Sequence, residues 1–245
     1  IKSMETINSL PFNANPQPGI AGSDKLHALF TGLMAGEQYG FYTNSLTTGA
    51  NRQSLGKILS ANNIESSIQL PPLMHFLKEE GERSAYDIML PLYLSHCDET
   101  QREAAIRKKF IGIERLVHYC RNLDISFRHI RLHGKISITN EDLQRGILAW
   151  DLGKIIKLSR TAYDCRLISE QEAWEYIEFS DKKCREYFVS WEEVGKSYLL
   201  GQAVNYPGEK KFRNVIECYC TATRNTESPW MRTPFRRAYF SRSTT

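Results

Sequence analysis

Residues 147–205 read ILAWDLGKIIKLSRTAYDCRLISEQEAWEYIEFSDKKCREYFVSWEEVGKSYLLGQAVN. Two capping signals divide this stretch, Ser169-Glu-Gln-Glu172 and Ser190-Trp-Glu-Glu193. In such a box the hydroxyl accepts from an unpaired backbone N–H, and the acid three residues on reaches back to the cap's own N–H. An N-cap hydroxyl contributes about 0.5–2 kcal/mol. The boxes predict helices from Ser169 to about Phe188 and from Ser190 to about Val204. Thr139-Asn-Glu-Asp142 is a third start and predicts a helix to about Cys165. The links between them are short, so the helices are expected to pack as antiparallel neighbours. The fold class that follows is all-α.

On a helical wheel centred at Leu152, the residues Leu148, Ala149, Ile155, Ile156, Ser159 and Tyr163 form one face, and Lys154, Lys157 and Thr161 the opposite one. Trp150 falls on the polar side. Asp151 and Arg160 flank the apolar stripe on opposite sides. Gly153 leaves a shallow strip where another backbone can approach. Trp150 is either covered by a further element or marks an interaction surface. In the next helix Ala173, Trp174, Ile177, Cys184 and Phe188 define a buried face that includes Asp181. A buried carboxylate needs a partner; Arg185 and Arg160 are the candidates. Asp181 then fixes helix register as an ion pair, or serves as a catalytic carboxylate. Trp191, Val194, Tyr198 and Gly201 share a face of the third helix. Trp150, Gly153, Tyr163, Trp174, Trp191 and Tyr198 are therefore core or interaction residues.

Upstream, a helix is expected from Ser23 or Asp24 to about Tyr39, and another begins across Leu55–Leu59. A third opens at Pro71-Pro72, where proline suits the first turn. Ile88–Leu94 carries Pro91 and is expected to be kinked or short. Asp98-Glu-Thr-Gln101 opens a helix to about Arg121. Residues 125–138 alternate like a strand or form an irregular connection; this is the one β-like segment. Phe212–Thr223 is a further short helix. The expected domains are an extended arm (1–22), a helical domain (23–207) and a basic extension (208–245).

Ala-Trp-Asp-Leu-Gly at Ala149–Gly153, Arg160 with Tyr163, Ile168–Trp174 and Ser190–Gly201 together form a pattern that resembles the bacterial family of domain of unknown function 1266. Met74–Arg83 is more loosely similar to that family's leucine-rich stretch ending in Glu-Gly-His-Arg, with Glu82 in place of the histidine. The specific part covers residues 149–201; residues 1–50 and the basic tail lie outside it. The resemblance implies a bacterial, soluble, mostly helical protein and no particular chemistry.

The net charge of +4 is unevenly spread over the 245 residues. From Gly208 onward there are eight Lys/Arg against three Glu, so the whole excess sits there. The tail around Trp230 interleaves Arg232, Arg236 and Arg237 with aromatics such as Tyr239. Arginine grips phosphates and aromatics stack on bases, so nucleic acid is one expectation. Docking on the protein's own body and an acidic protein partner are the others. The six cysteines are scattered, and residues 1–22 lack a signal peptide's apolar run, so free thiols in a bacterial cytoplasm are expected. Delivery elsewhere is expected only if the protein belongs to an effector system. Apolar runs are too short for a membrane helix.

No phosphate loop, nucleophile elbow or zinc-protease motif occurs. Cys218-x-Cys220, His129 with His133, and Glu209-x-Lys211 are weak metal-site spacings, and no metal or cofactor is expected. A non-catalytic protein-interaction module is the leading expectation, as an adaptor or part of a toxin or effector system. The rival is an enzyme with a site built from Asp151, Arg160, Glu172 and Asp181.

Overall fold

Residues 11–20 and 22–236 are described by the structure, a computed structural model. The chain is all-α, with no strand among the described residues. Along the chain run α1 (Ser23–Thr31), α2 (Leu33–Glu37), α3 (Arg52–Ser60), α4 (Leu70–Glu79) and α5 (Arg83–Ser95). Then come α6 (Glu99–Lys109), α7 (Glu114–His133), α8 (Asn140–Arg145), α9 (Leu148–Asp164) and α10 (Glu170–Tyr187). The last are α11 (Trp191–Asn205), α12 (Glu209–Arg224) and α13 (Pro229–Arg232). No helix among the described residues is long and apolar enough to cross a membrane.

The helix starts follow local chemistry. Ser169 accepts from Glu172 N–H, and Glu172 accepts from Ser169 N–H at 2.8 Å, completing the box that opens α10. The Ser190 box is only half formed: Ser190 accepts from Glu193 N–H, but Glu193 takes Val189 N–H instead. Thr139 and Asp142 form a complete box, yet its helix ends at Arg145.

Five expectations are corrected. The helix expected from Ser23 or Asp24 to about Tyr39 is interrupted at Gly32 into α1 and α2 and ends at Glu37. The helix from Thr139 breaks at Gly146, whose φ of +77° suits only glycine, and α9 starts afresh at Leu148. The helix from Asp98 breaks around Gly112, also left-handed, into α6 and α7. Residues 125–133 are the last turns of α7, not a strand: Leu123, Ser126 and Ile130 are buried at helical spacing. Of the two readings of Ile88–Leu94, kinked or short, the short one fails: the run lies within the 13-residue α5, with Pro91 inside it.

α9 occupies the centre. Twelve of its 17 residues are buried, which marks a core helix rather than a one-faced surface helix. It packs against α10 and α11, and the N-terminal helices α1 to α4 rest on it. The α9–α11 seam is notched on both sides. A Cβ on Gly153 would lie 2.9 Å from Tyr198 Cε2, and one on Gly201 would lie 2.5 Å from Trp150 Cγ. Each glycine thus receives the other helix's aromatic ring.

The C-terminal helices belong to the same body. Phe212, Val215, Ile216 and Tyr219 of α12 are buried against α11, α7 and α2. Trp230 of α13 stacks on Trp191 at 5.3 Å and donates from Nε1 to Phe30 O at 2.8 Å. Phe235 meets the Trp191 ring edge-on at 4.8 Å.

Candidate functional site

The four candidate catalytic residues occupy four separate places. Asp151 is fully buried on α9. Its carboxylate accepts from Glu82 N–H at 2.9 Å and from Arg83 Nη1 at 3.0 Å, pinning the turn before α5. Burial pushes its pKa up to about 6 against those donors. Arg83 spends its remaining donors on the carbonyls of Leu77, Lys78 and Glu79, closing the end of α4. Arg160, 3% exposed, faces away from Asp151. Its guanidinium donates to the carbonyls of Tyr42, Ser45, Leu46 and Thr47, holding the loop between α2 and α3. Burial lowers its pKa to about 10. Asp164 caps the same loop through Thr48 N–H and hydroxyl.

Glu172 is the capping acid of α10 and is exposed. Asp181 is buried and paired with Arg185, not Arg160. It also accepts from Thr31 at 2.9 Å and meets His27 Nδ1 at 2.9 Å. Burial would raise its pKa, but His27 and Arg185 outweigh that and hold it below the usual carboxylate range. His27 Nε2 lies 3.0 Å from Phe235 O.

Among the interaction-or-core residues, Trp150, Trp174, Trp191 and Tyr198 are each 7% exposed or less. Trp150 is covered by α11, with ring centroids 5.0 Å from Tyr198 and 6.1 Å from Tyr206. Gly153 is buried and Tyr163 half-buried. In the tail, Arg232 and Arg236 are exposed; Arg237 and Tyr239 lie outside the described residues. No group of three His, Cys, Asp or Glu positioned for a metal ion occurs among the described residues. The His129–His133 pair lies on a helix, not a strand; His133 contacts Glu217 at 2.7 Å while His129 packs beside Phe212.

Sequence reasoning passed over a second cluster, because its lysines lie on the face of α9 that a wheel assigns to solvent. Lys157 points toward a tyrosine contributed by another element, and Lys154 toward Glu82. Lys157 Nζ lies 5.0 Å from the centroid of Tyr39, just past α2. Gln38 donates to Tyr198 Oη at 2.7 Å. Tyr206, which follows α11, is close enough to Tyr39 to raise its pKa, after the larger effect of burial. Lys154 Nζ is 3.8 Å from Glu82 Oε1, and Glu82 is already engaged by Arg115 and by Tyr119 Oη at 2.6 Å. Lys157 has no hydrogen bond or ion pair among the described residues. Burial and the neighbouring Lys154 push its pKa down to about 8.

The family described as Protein of unknown function (DUF1266) matches residues 60–235. The chain belongs to this family. The match is wider than the 149–201 pattern: it extends from the last residue of α3 through α13 to Phe235, and so takes in most of the segment set apart in sequence as the basic extension. The pattern residues of this DUF1266 chain mark its central seam, with Trp150 against Gly201, Tyr198 against Gly153, and Asp151 and Arg160 as loop anchors. No curated protein and no solved structure matches the chain.

Proposed function

We propose that this protein is a non-catalytic protein-interaction module, working in the bacterial cytoplasm as an adaptor or as a component of a toxin or effector system. The observation that supports the reading most is the turn between α6 and α7. There Ile111 is 86% exposed and Ile113 49%, on either side of left-handed Gly112. Single exposed apolar residues are ordinary, but two β-branched residues held out on a tight turn form a compact apolar tip. Arg107, which pairs with Glu114, braces the turn from both helices. Meanwhile the acids and the arginine that would make an enzyme site are each engaged in holding a loop or a helix end.

A photo-crosslinking residue at position 111 tests this in the host cell. The expected result is a discrete crosslinked protein absent when the same group stands at exposed Lys210, and lost when Ile113→Asp is added. Identical crosslinking from positions 111 and 210 would reject the reading.

A further inference from the structure

Half-buried Lys157 carries a charge that no group among the described residues neutralises. Its ammonium has no carboxylate, carbonyl or hydroxyl partner among the described residues, only the face of the Tyr39 ring. Lys154, one turn away, adds a second positive charge whose one counter-charge among the described residues, Glu82 at 3.8 Å, is shared with Arg115. A charge removed from water without a partner is costly. An incoming anion would supply the missing partner.

The hydrogen-bond inventory points the same way. Tyr198 Oη accepts from Gln38, while its own hydrogen has no acceptor among the described residues. The hydroxyls of Tyr39 and Tyr206 make no hydrogen bond among the described residues, and both residues are open to solvent at 37% and 53% exposure. Lys211 Nζ lies 6.0 Å from the Tyr206 ring. Beyond the larger effect of burial, Lys154 is close enough to Lys157 to lower its pKa, and Tyr39 and Tyr206 are close enough to Tyr198 to raise its own, so the two basic nitrogens and three phenols are neighbours, with the Tyr39 and Tyr206 rings exposed. A carboxylate offers two oxygens and one charge. A phosphate monoester offers three terminal oxygens and nearly two charges at neutral pH, and it matches paired ammoniums and several hydroxyl donors better.

We propose that Lys157, Lys154, Tyr39, Tyr198 and Tyr206 form a binding site for the phosphate group of a small organic phosphate monoester, with the organic part lying against the Tyr39 and Tyr206 rings. The site is on a different surface from the Ile111 turn and stands independently of the interaction reading. Glu82 competes with the ligand for Lys154 and limits its affinity.

Phenyl phosphate, benzoate, inorganic phosphate and sulfate are the probes, titrated into the full chain at constant ionic strength. Acetic anhydride labelling of Lys157 at pH 8, measured against exposed Lys210 by mass spectrometry, gives a readout at the residue itself. Phenyl phosphate is expected to bind saturably and to slow Lys157 labelling selectively. Inorganic phosphate should do so more weakly, benzoate and sulfate least. Lys157→Gln should weaken phenyl phosphate binding about tenfold or more, as loss of a charged hydrogen bond does, while Lys157→Arg retains most of it. Glu82→Gln should tighten it by freeing Lys154. Equal protection by benzoate or sulfate would overturn the phosphate assignment. Unchanged Lys157 labelling, or full affinity in Lys157→Gln, would overturn the site. A phosphorylated peptide binding where phenyl phosphate does not would overturn the small-molecule assignment.

Discussion

Replacing Gly201 by alanine tests the α9–α11 seam directly. Two effects oppose one another. Alanine is a better helix former than glycine by about 0.8–1.0 kcal/mol, and Gly201 lies inside α11. Against this, the new methyl would lie 2.5 Å from Trp150 Cγ and closer still to Trp150 Cβ. Those atoms are fixed to α9 and cannot swing aside, and the ring beyond them is held by Tyr198 and Tyr206. The helices must separate or Trp150 must leave its rotamer, which costs about 1–3 kcal/mol or more. The clash wins, for a net loss of roughly 1–2 kcal/mol. Gly56→Ala is the matched control. It also lies within a helix, α3, but a Cβ there meets nothing within 4 Å, so it should gain up to about 1 kcal/mol. For a chain of this size each kcal/mol moves Tm by about 2–4 °C. Thermal and urea unfolding should therefore move the two variants in opposite directions. Adding Gly201→Ala to a Trp150→Gly background should cost nothing or stabilise, because glycine at 150 removes both the Cβ and the ring atoms that clash. A Gly201→Ala protein as stable as Gly56→Ala would refute the interlocked seam.

Arg160→Lys should cost about 2–4 kcal/mol, since an ammonium cannot serve the four carbonyls the guanidinium fork reaches. Hydrogen exchange should quicken across residues 42–50 before the rest of the chain, and unchanged protection there would show that the arginine does not hold the loop. Glu37 gives a pH signature. Burial raises its pKa to about 7, partly offset by the Phe12 N–H it accepts. The folded state therefore holds the proton more tightly than the unfolded one, with its ordinary value of 4.5. The stabilisation is full below about pH 4.5 and is lost as pH rises through 7, by roughly 2–3 kcal/mol. Glu37→Gln should flatten that slope in urea titrations between pH 5 and 8 and be the more stable form at pH 8; a slope equal to wild type's would place the titration elsewhere.

What could be read in the sequence was what neighbours in the chain decide. The starts of α10 and α11 were legible because Ser169 and Ser190 cap N–H groups three residues away. The breaks at Gly146 and Gly112 were missed because apolar spacing continues across both; only the positive φ at each glycine reveals the interruption. Residues 125–133 misled because period-two and helical patterns agree over so few positions. The roles of Asp151 and Arg160 were out of reach for a different reason. Both could be seen to flank the apolar stripe, but their partners stand 68 and more residues away and are mostly backbone atoms, which carry no sequence signature. Lys157 was hidden by its helix: a lysine opposite an apolar stripe reads as solvated until another element places Tyr39 over it.

The fastening of α1 has a consequence for the order of events during synthesis. Phe30 O accepts from Trp230, 200 residues later in the chain, and His27 meets the carbonyl of Phe235, 208 residues later. At roughly 5–20 residues per second, the first helix waits about 10–40 s on the ribosome before its final partners exist. Trp191 is itself made only 39 residues before Trp230, and over that last part of the wait it lacks the ring that later stacks on it. The newborn chain thus passes through a long interval in which its beginning is made but cannot be locked, and a chaperone or a premature stop would act on that unlocked form.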